Sequence, residues 1–305
     1  MLKPNRLVII SFLGPAVLFY LLIFLYPTLR TIVMSFFAVE SVSDPVSLWT
    51  FNGLANYKRA FTGMPIFLQS LFNILRIWFF GGIGVMIIAL LFAAILTTDN
   101  FKGMKFFRAA IYLPNLVSAV AMAAMWLNFV YHPEIGILSS SFKLIGLETL
   151  SQTQWTGPGT RFWAVLVAYS FGMVGYHMLI FISGIEQIPK DYHDAARIDG
   201  ANVFQRFANI TVPFIRGVTR TNIVMWTVFI VGFFLWGHLF SPVMPSNDTA
   251  GPLNVLFHTV FGTTAAANVV RDSGTGAVMG VSMMVMVIIV FFSTSFIVKN
   301  DDVEI

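Results

Sequence analysis

The sequence contains no cysteine, and charged residues make up only 10% of its 305 positions. Without cysteine there is neither a disulfide framework nor a thiolate metal site, and the redox compartment cannot be read from cysteine usage. A soluble domain carries about 25% charged residues. With a hydrophobic content of 57% and a mean hydropathy of +0.80, this shortage of charge indicates an integral membrane protein.

Several functional signatures are also missing. There is no Gly-rich phosphate loop ending in Lys-Ser or Lys-Thr and no H-E-x-x-H pair. No Ser, His and acid grouping lies near the polar stretch 194–213. The formal charge of +4 is scattered through apolar sequence without forming a basic stripe, so nucleic acid is not an expected partner. We therefore predict no catalytic residue, no metal site and no cofactor held by this chain.

Six apolar stretches are long enough to cross a membrane, since a spanning helix needs about 20 mostly apolar residues. They cover residues 7–36, 70–96, 107–131, 162–185, 218–240 and 275–298. The expected fold is all-α, a polytopic six-helix bundle forming one transmembrane domain over residues 1–305. A cleaved signal peptide is not expected, because the first apolar run is too long and no A-x-A-like site follows it.

The distribution of Lys and Arg predicts the orientation, because cytoplasmic loops carry the excess of these residues. One side carries eleven: Lys3, Arg6, Lys102, Lys105, Arg108, Lys190, Arg197, Arg206, Arg216, Arg220 and Lys299. The other side carries five: Lys58, Arg59, Lys143, Arg161 and Arg271. Both termini and the stretch 194–213 are therefore expected in the cytoplasm, with the longer loops outside.

One polar stretch, DAARIDGANVFQRFANITVP at 194–213, interrupts this apolar chain. Pro189 suits the first position of a helix over 190–199, and Gly200 can end that helix in a left-handed conformation. Asn202 can then cap a second helix that runs to Pro213. The pattern predicts two short helices joined by a tight turn on the cytoplasmic surface. On its own, this pattern fits equally well an ordinary interfacial hairpin that seals the bundle.

The spacing of this stretch carries a resemblance. Asp194-Ala195-Ala196, Gly200 and the run 210–213 resemble the EAA loop of permease subunits of binding-protein-dependent ABC importers, in the carbohydrate-uptake branch related to the maltose permeases. The segments GLANYKRAF at 53–61 and FKGMKFFRAAIYLPNLVSAV at 101–120 agree in order, and the resemblance covers nearly the whole chain. Asp194 stands where the family usually has Glu, and Val212 where it usually has Leu.

The resemblance implies a role for residues 186–215. In that family the EAA loop forms coupling helices that sit in a groove of a cytoplasmic ATPase and pass its motion to the bundle. Glycine permits the tight turn, exposed charges would give orientation and specificity, and small or aromatic side chains would give apolar contact. The expected coupling residues are Asp194, Ala195, Ala196, Arg197, Asp199, Gly200, Phe204 and Pro213.

The resemblance also implies partners. These are a second six-span permease, expected as a heterodimer, two cytoplasmic ATPase subunits that bind ATP and Mg²⁺, and a periplasmic or extracellular solute-binding protein. The expected location is the bacterial cytoplasmic membrane. The alternative is an ion-gradient-driven secondary transporter, but such a protein normally keeps an acidic residue inside the membrane, and none of the six stretches contains Asp or Glu. A membrane enzyme or a pure scaffold is less consistent with the motif.

Aromatic residues at helical spacing suggest where a saccharide could pass, because sugars stack on aromatic rings. The candidate substrate-path residues are Tyr169, Gly172, Met173, Tyr176, His177, Trp226, Phe229 and Phe233. The alternative for them is ordinary helix–helix packing. The ionisable residues in the six stretches are Arg30, Arg76, His177 and His238, all cationic or potentially so. We therefore expect a neutral or anionic saccharide, unless these side chains only contact headgroups and local carbonyls.

Overall fold

A computed structural model of the chain describes residues 6–98, 103–241, 247–262 and 271–297. Lys3, Lys102 and Lys299, which contribute to the predicted orientation, lie outside the described residues, as does the last position of the stretch 275–298. The orientation therefore stays a prediction.

Helices dominate the described chain. The α-helices are Arg6–Tyr20, Tyr26–Met34, Ala55–Lys58, Pro65–Arg76, Gly82–Thr98, Met104–Leu116, Ala119–Met125, Ile137–Leu144, Glu148–Ser151, Arg161–Ile185, Lys190–Ile198, Val203–Arg206, Val212–Phe214, Arg216–Val231, Phe234–Phe240, Pro252–Phe261 and Ser273–Ile297. Five-residue π-helical turns join several of them, at Leu21–Leu25, Arg59–Gly63, Ile77–Gly81, Trp126–Val130 and Phe207–Thr211. A short 3₁₀ helix covers Val46–Leu48. The strands Phe37–Ala38 and Thr50–Phe51 pair antiparallel, with Phe37 opposite Phe51.

The chain forms two compact parts. One part contains the chain up to Leu68 together with Val255–Val285, and the other contains Gln69–Asn254 together with the chain from Met286 onward. In the first part Asn56 is buried and donates from Nδ2 to the carbonyls of Ser35 (3.0 Å) and Phe37 (2.7 Å), which fixes the end of the first long helix. The single domain expected over 1–305 stays a prediction.

Four helices are long and apolar enough to cross a membrane: Ile10–Met34, Pro65–Thr97, Arg161–Ile185 and Ser273–Phe296. Two bent pairs, Met104–Leu116 with Ala119–Val130 and Val203–Phe214 with Arg216–Val231, raise the number to six if each pair is one span. Helices that are apolar all round are stable only when buried or in lipid. The predicted all-α polytopic fold is confirmed.

The sequence suggested one helix over 107–131, but the structure breaks this stretch into two helices. Met104–Leu116 and Ala119–Val130 meet at 98°. Val117 and Ser118 are extended (ψ 135 and 147), and the Ser118 hydroxyl accepts from the Ala121 N–H at 3.3 Å. Serine is a favoured N-cap, so it starts a new helix in a new direction.

The stretch 218–240 is also broken. The helix Arg216–Val231 ends at Gly232 and Phe233, whose ψ angles of 14 and 18 leave the α-helical range, and Phe234–Phe240 follows. Upstream, the chain bends by 68° between Phe214 and Arg216. Apolarity alone does not report such bends, because both arms are equally hydrophobic.

Helix Arg161–Ile185, called helix 161–185 below, is the most buried of the four spanning candidates. It crosses helix Met104–Leu116 closely at Gly175, where an added Cβ would lie 2.4 Å from the Ile111 carbonyl oxygen. Only glycine allows backbones to approach this far. The larger part of the protein is organised around this helix.

Candidate functional site

The polar hairpin, defined here as residues 190–214, contains the two short helices that the motif predicts. Its first helix is Lys190–Ile198 and ends at Gly200, whose φ of +82 is left-handed as predicted. The Gly200 N–H donates to the Arg197 carbonyl (3.2 Å) and the Ala201 N–H to the Ala196 carbonyl (2.9 Å). These two bonds form a Schellman motif, which satisfies the last carbonyls of the helix.

Asn202 begins the second helix, also as predicted. Its side-chain oxygen accepts from the Gln205 N–H, and the Gln205 side chain accepts from the Asn202 N–H, both at 2.8 Å. This reciprocal capping box fixes the chain direction directly after the turn. The turn between the two helices is therefore rigid.

Two prolines, Pro189 directly before the hairpin and Pro213 within it, occupy helix positions other than those the sequence predicted. Pro189 has a ψ of 132 and precedes the helix as its N-cap residue, so the helix begins at Lys190. Pro213 does not end the second helix, because helical backbone continues from Val203 through a π-turn to Phe214. Pro213 lies in the segment Val212–Phe214 that directly follows the π-turn Phe207–Thr211, in which the regular helical bonding pattern has already changed.

The inner side of the hairpin is anchored to the protein. The rings of Tyr192 and Phe214 are 5.0 Å apart, which ties the first helix to the end of the second. Ile215 is buried and Ile210 half-buried in a cluster that includes Met178 of helix 161–185. The hairpin is therefore packed against that helix.

The outer side of the hairpin exposes apolar side chains. Ile198 is 87% exposed and Phe204 76% exposed, and Val203 between them is exposed as well. The charged side chains Asp194, Arg197 and Asp199 are also exposed. The sequence interpretation named Phe204 as a contact but did not include Ile198 or Val203, although their apolar character on either side of Gly200 was a readable signal.

Of the other predicted coupling residues, Ala195 is exposed and Ala196 half-buried.

Burial, followed by the positive charge of Arg206, lowers the pKa of His193 below its ordinary value of 6.5. His193 is therefore neutral at pH 7, and its neighbours supply the charge of this surface.

The aromatic core, defined here as Tyr169, Trp226, Phe233 and Trp236, brings the two predicted aromatic stripes together. Tyr169 lies 5.6 Å from Trp226, 5.0 Å from Phe233 and 5.6 Å from Trp236 between ring centroids. The Trp226 indole N–H donates to the Trp78 carbonyl at 2.9 Å. Trp226 is 1% exposed, and Tyr169 and Phe233 are equally buried. These three predicted path residues pack inside the protein instead of facing a passage.

His177 is fully buried beside this core. Its Nδ1 lies 2.7 Å from the Asn222 side-chain oxygen, within hydrogen-bond distance. Within the part of the chain that the structure describes, His177 Nε2 and Asn222 Nδ2 have no partner. The pair links helix 161–185 to helix Arg216–Val231 (helix 216–231). Gly172 is buried too, whereas Met173, Tyr176 and Phe229 are partly accessible.

Two of the cationic residues in the apolar stretches, Arg76 and Arg30, have aromatic partners. The Arg76 guanidinium lies 3.9 Å from the ring centroid of Phe162. The Arg30 guanidinium lies 5.4 Å from the Trp49 ring centroid and donates to the Val42 carbonyl at 3.2 Å. His238 stacks on Phe234 at 5.8 Å. Cation–π contacts stabilise such charges locally, so neither arginine needs a substrate as a partner.

An open groove of about 370 Å³ runs along the last turns of helix 161–185. Helix Met104–Leu116 (helix 104–116) forms one wall and helix 216–231 the other. The lining residues are Tyr112, Tyr176, Leu179, Ile180, Ser183, Gly184, Gln187, Val218 and Thr221. Only Tyr176 was a predicted path residue. Leu179, Ile180, Ser183 and Gly184 continue its helical stripe towards Gln187, whereas the walls that the other two helices contribute cannot be read from spacing.

No protein-family model matches the chain, but curated relatives do. The probable ABC transporter permease protein YurN of Bacillus subtilis (strain 168) is 31% identical over 243 residues, covering 78% of this chain and 81% of YurN. The arabinooligosaccharides transport system permease protein AraP of Halalkalibacterium halodurans is 28% identical, covering 91% of this chain and 83% of AraP. The diacetylchitobiose uptake system permease protein NgcF of Streptomyces coelicolor is 26% identical, covering 83% and 71%.

The chain belongs to the permease subunits of ABC transporters. It is a multi-pass membrane protein and a transport subunit, and the family that the motif suggested is confirmed. The fold of this ABC permease is shared with a bacterial ABC transporter involved in import of the acidic polysaccharide alginate. The TM-score is 0.77 with 18% identity, and 97% of this chain and 96% of the other are covered. A bacterial alginate ABC transporter in complex with an alginate pentasaccharide-bound periplasmic protein gives a TM-score of 0.75 with 18% identity.

Proposed function

We propose that this permease forms part of an ATP-driven importer that moves a neutral or anionic saccharide into the cytoplasm of a bacterium. The observation that carries the proposal is the polar hairpin, a rigid, glycine-hinged surface element that exposes Ile198 and Phe204. Exposed apolar anchors surrounded by charges are typical of a protein docking surface. The names of AraP and NgcF, which refer to oligosaccharide uptake, favour a saccharide cargo.

In this proposal ATP and Mg²⁺ bind to a pair of cytoplasmic ATPase subunits, since this chain lacks a phosphate loop. Each ATPase movement reaches the membrane through the hairpin. Because Ile210 and Ile215 pack against the cluster around Met178, a displacement of the hairpin shifts the end of helix 161–185. A second six-span permease completes the passage, and a solute-binding protein delivers the sugar from outside.

The passage is proposed to run past Met173, Tyr176 and Phe229, the partly accessible members of the predicted path. The rings of Tyr176 and Phe229 are 5.0 Å apart and nearly perpendicular, so the passage would present two adjacent aromatic side chains to a sugar ring. The buried members Tyr169, His177, Trp226 and Phe233 would hold these side chains in place from behind. Substituting Tyr176 by Ala should then lower uptake of any saccharide.

Uptake in proteoliposomes tests the proposal. The permease is reconstituted with its partner permease and ATPases, and uptake of arabinotriose, maltotriose, diacetylchitobiose and an alginate trisaccharide is followed. We expect accumulation only with ATP on the ATPase side, whichever proton or Na⁺ gradient is imposed. Accumulation by this chain alone under an ion gradient would favour the secondary-transporter alternative.

The proposed orientation, with both termini in the cytoplasm, has its own test. A reporter that is active only in the periplasm is fused after Ile305, and a second one is fused at Leu144 in an expected outer loop. The reporter at Leu144 should be active and the terminal one inactive. The reverse pattern would place the polar hairpin outside the cell and remove it from any cytoplasmic ATPase.

A further inference from the structure

We infer that the groove lined by Tyr112, Tyr176, Ser183, Gln187 and Thr221 binds an uncharged sugar unit of the cargo as it leaves the permease. This inference rests on the proposed function. The proposed cargo is neutral or anionic, and the inference states that the sugar unit bound in the groove is neutral. It also identifies a contact site that has only Tyr176 in common with the predicted path.

The groove combines apolar walls with a row of neutral polar groups. Leu179, Ile180 and Val218 provide the apolar surface, while hydroxyls and one amide provide the polar groups. Tyr176 and Ser183 are seven residues apart on one helix, so these groups are spread over about 10 Å. Sugars present C–H faces and hydroxyl edges, and pockets for small ligands are likewise mainly apolar with a few placed polar groups.

The polar groups are free to bind a ligand. Within the described residues, no hydrogen bond is made by the side chains of Tyr112, Tyr176, Ser183 or Gln187. Thr221 donates its hydroxyl to the Gly217 carbonyl at 3.1 Å and can still accept. Polar groups at membrane depth need a partner or water. A lipid chain would not satisfy them, whereas the hydroxyls of a sugar can both donate and accept.

The groove is electrically neutral. No charged side chain lines it. Arg108, one helical turn before Tyr112, and Glu186, next to Gln187, form an ion pair of 2.8 Å that joins two of the elements lining the groove. Each charge neutralises the other. A carboxylate sugar would therefore find no free cation in the lining, and an uncharged sugar is the better match.

The absence of cysteine allows a direct test of occupancy. The Ser183→Cys variant carries the only thiol of the chain, in the groove, and Thr219→Cys places one outside it on helix 216–231. Both are assembled with the partner subunits in detergent and labelled with a maleimide, with arabinotriose, maltotriose, diacetylchitobiose or an alginate trisaccharide present. Incorporation into this chain is read by mass.

We expect at least one neutral sugar to slow labelling of the Ser183→Cys variant about threefold or more, and the alginate trisaccharide to leave it unchanged. Labelling of Thr219→Cys should not respond to any sugar. The inference is overturned if no neutral sugar that the wild type imports protects the thiol, or if the acidic sugar protects equally. It is also overturned if the thiol reacts in the isolated chain but never in the assembled complex, because the groove would then be a contact between permease subunits.

A second measurement uses hydroxyl removal without a change of shape. Tyr112→Phe and Thr221→Val should each raise KM for the imported neutral sugar about threefold to tenfold, the range for one lost hydrogen bond. The matched control is Thr219→Val, whose hydroxyl bonds the Ile215 carbonyl in the same way but outside the groove. Failure of the wild type to import any sugar contradicts the proposed function, and the labelling still decides whether the groove takes a sugar. Normal import with an unaltered KM in both variants contradicts only the groove.

Discussion

The polar hairpin exposes Ile198 and Phe204 on its outer side, whereas the aromatic core buries its large side chains. Phe204 is mostly exposed and Trp226 almost completely buried, although both residues belong to sequence patterns that suggested binding. In the core, each aromatic side chain finds its partners within the same chain. On the outer side of the hairpin, the cap and turn bonds fix the backbone while Ile198, Val203 and Phe204 stay exposed. Under the proposed function, the exposed side of the hairpin is the surface on which another protein docks, whereas the core stabilises this chain.

Trp226→Ala tests the stabilising role of the core and should have the largest effect. The substitution leaves a cavity and removes the indole hydrogen bond to the Trp78 carbonyl, at a cost of about 3–5 kcal/mol in the free energy of unfolding. Thermal unfolding of the purified complex measures it. The control is Trp163→Ala, since Trp163 is 48% exposed. Equal losses in both variants would mean that the core is no more important than a surface tryptophan.

Gly200→Val tests the rigid turn of the hairpin. A side chain at a φ of +82 is strained by about 1–2 kcal/mol, although nothing lies within 4 Å of the new Cβ. Uptake and stimulation of the ATPase should fall about tenfold, while the core stays folded. Gly84→Val, which has equally open space and an ordinary φ, should be tolerated. Gly200→Asn should restore part of the activity, because Asn accepts the left-handed region.

The turn chemistry of the hairpin was predictable from the sequence because it depends on local rules. Gly200, Ala201 and Asn202 form the turn and the cap through bonds to residues only a few positions away. The exposed Ile198 was recognisable as apolar, but its exposure depends on which face of the hairpin packs on Ile210 and Ile215. Spacing alone does not say which face that is.

The aromatic core was only half predictable. The stripe of Tyr169, Met173 and Tyr176 follows from helical spacing, yet spacing cannot say whether a neighbouring helix covers it. The bends at Ser118 and Gly232 decide this, because they redirect the adjoining segments. Apolar stretches hide such bends, so burial of Tyr169 and Phe233 required the structure. The groove near Ser183 escaped prediction for the same reason.

Removing the exposed anchors should affect docking and not folding. Phe204→Ala and Ile198→Ala together should weaken retention of the ATPase about tenfold, as expected for apolar anchors of an interface. The free energy of unfolding should change by less than about 0.5 kcal/mol. Phe51→Ala is the control, because Phe51 is similarly exposed in the first part of the chain. If this control lowers ATPase retention equally, the hairpin is not the docking surface.

Acidification should produce the smallest effect. The pKa of His193 is lowered in the folded state, so the unfolded state binds the proton first as the pH falls below 6.5. The hairpin should therefore lose a little stability between pH 7 and pH 5, seen as faster amide exchange in Lys190–Ile198. The variant His193→Gln should lack this loss. An unchanged pH response in that variant would assign the effect to other groups.

Photo-crosslinking from the hairpin tests the central claim most directly. Ile198→Cys in the cysteine-free chain is labelled with a benzophenone maleimide, assembled with the partner subunits and illuminated; Phe229→Cys serves as the comparison. We predict that the label at position 198 crosslinks to the ATPase subunit and blocks ATP-driven uptake, whereas the label at position 229 does not reach the ATPase. A hairpin label that reaches only lipid or the partner permease, with uptake intact, would contradict the account.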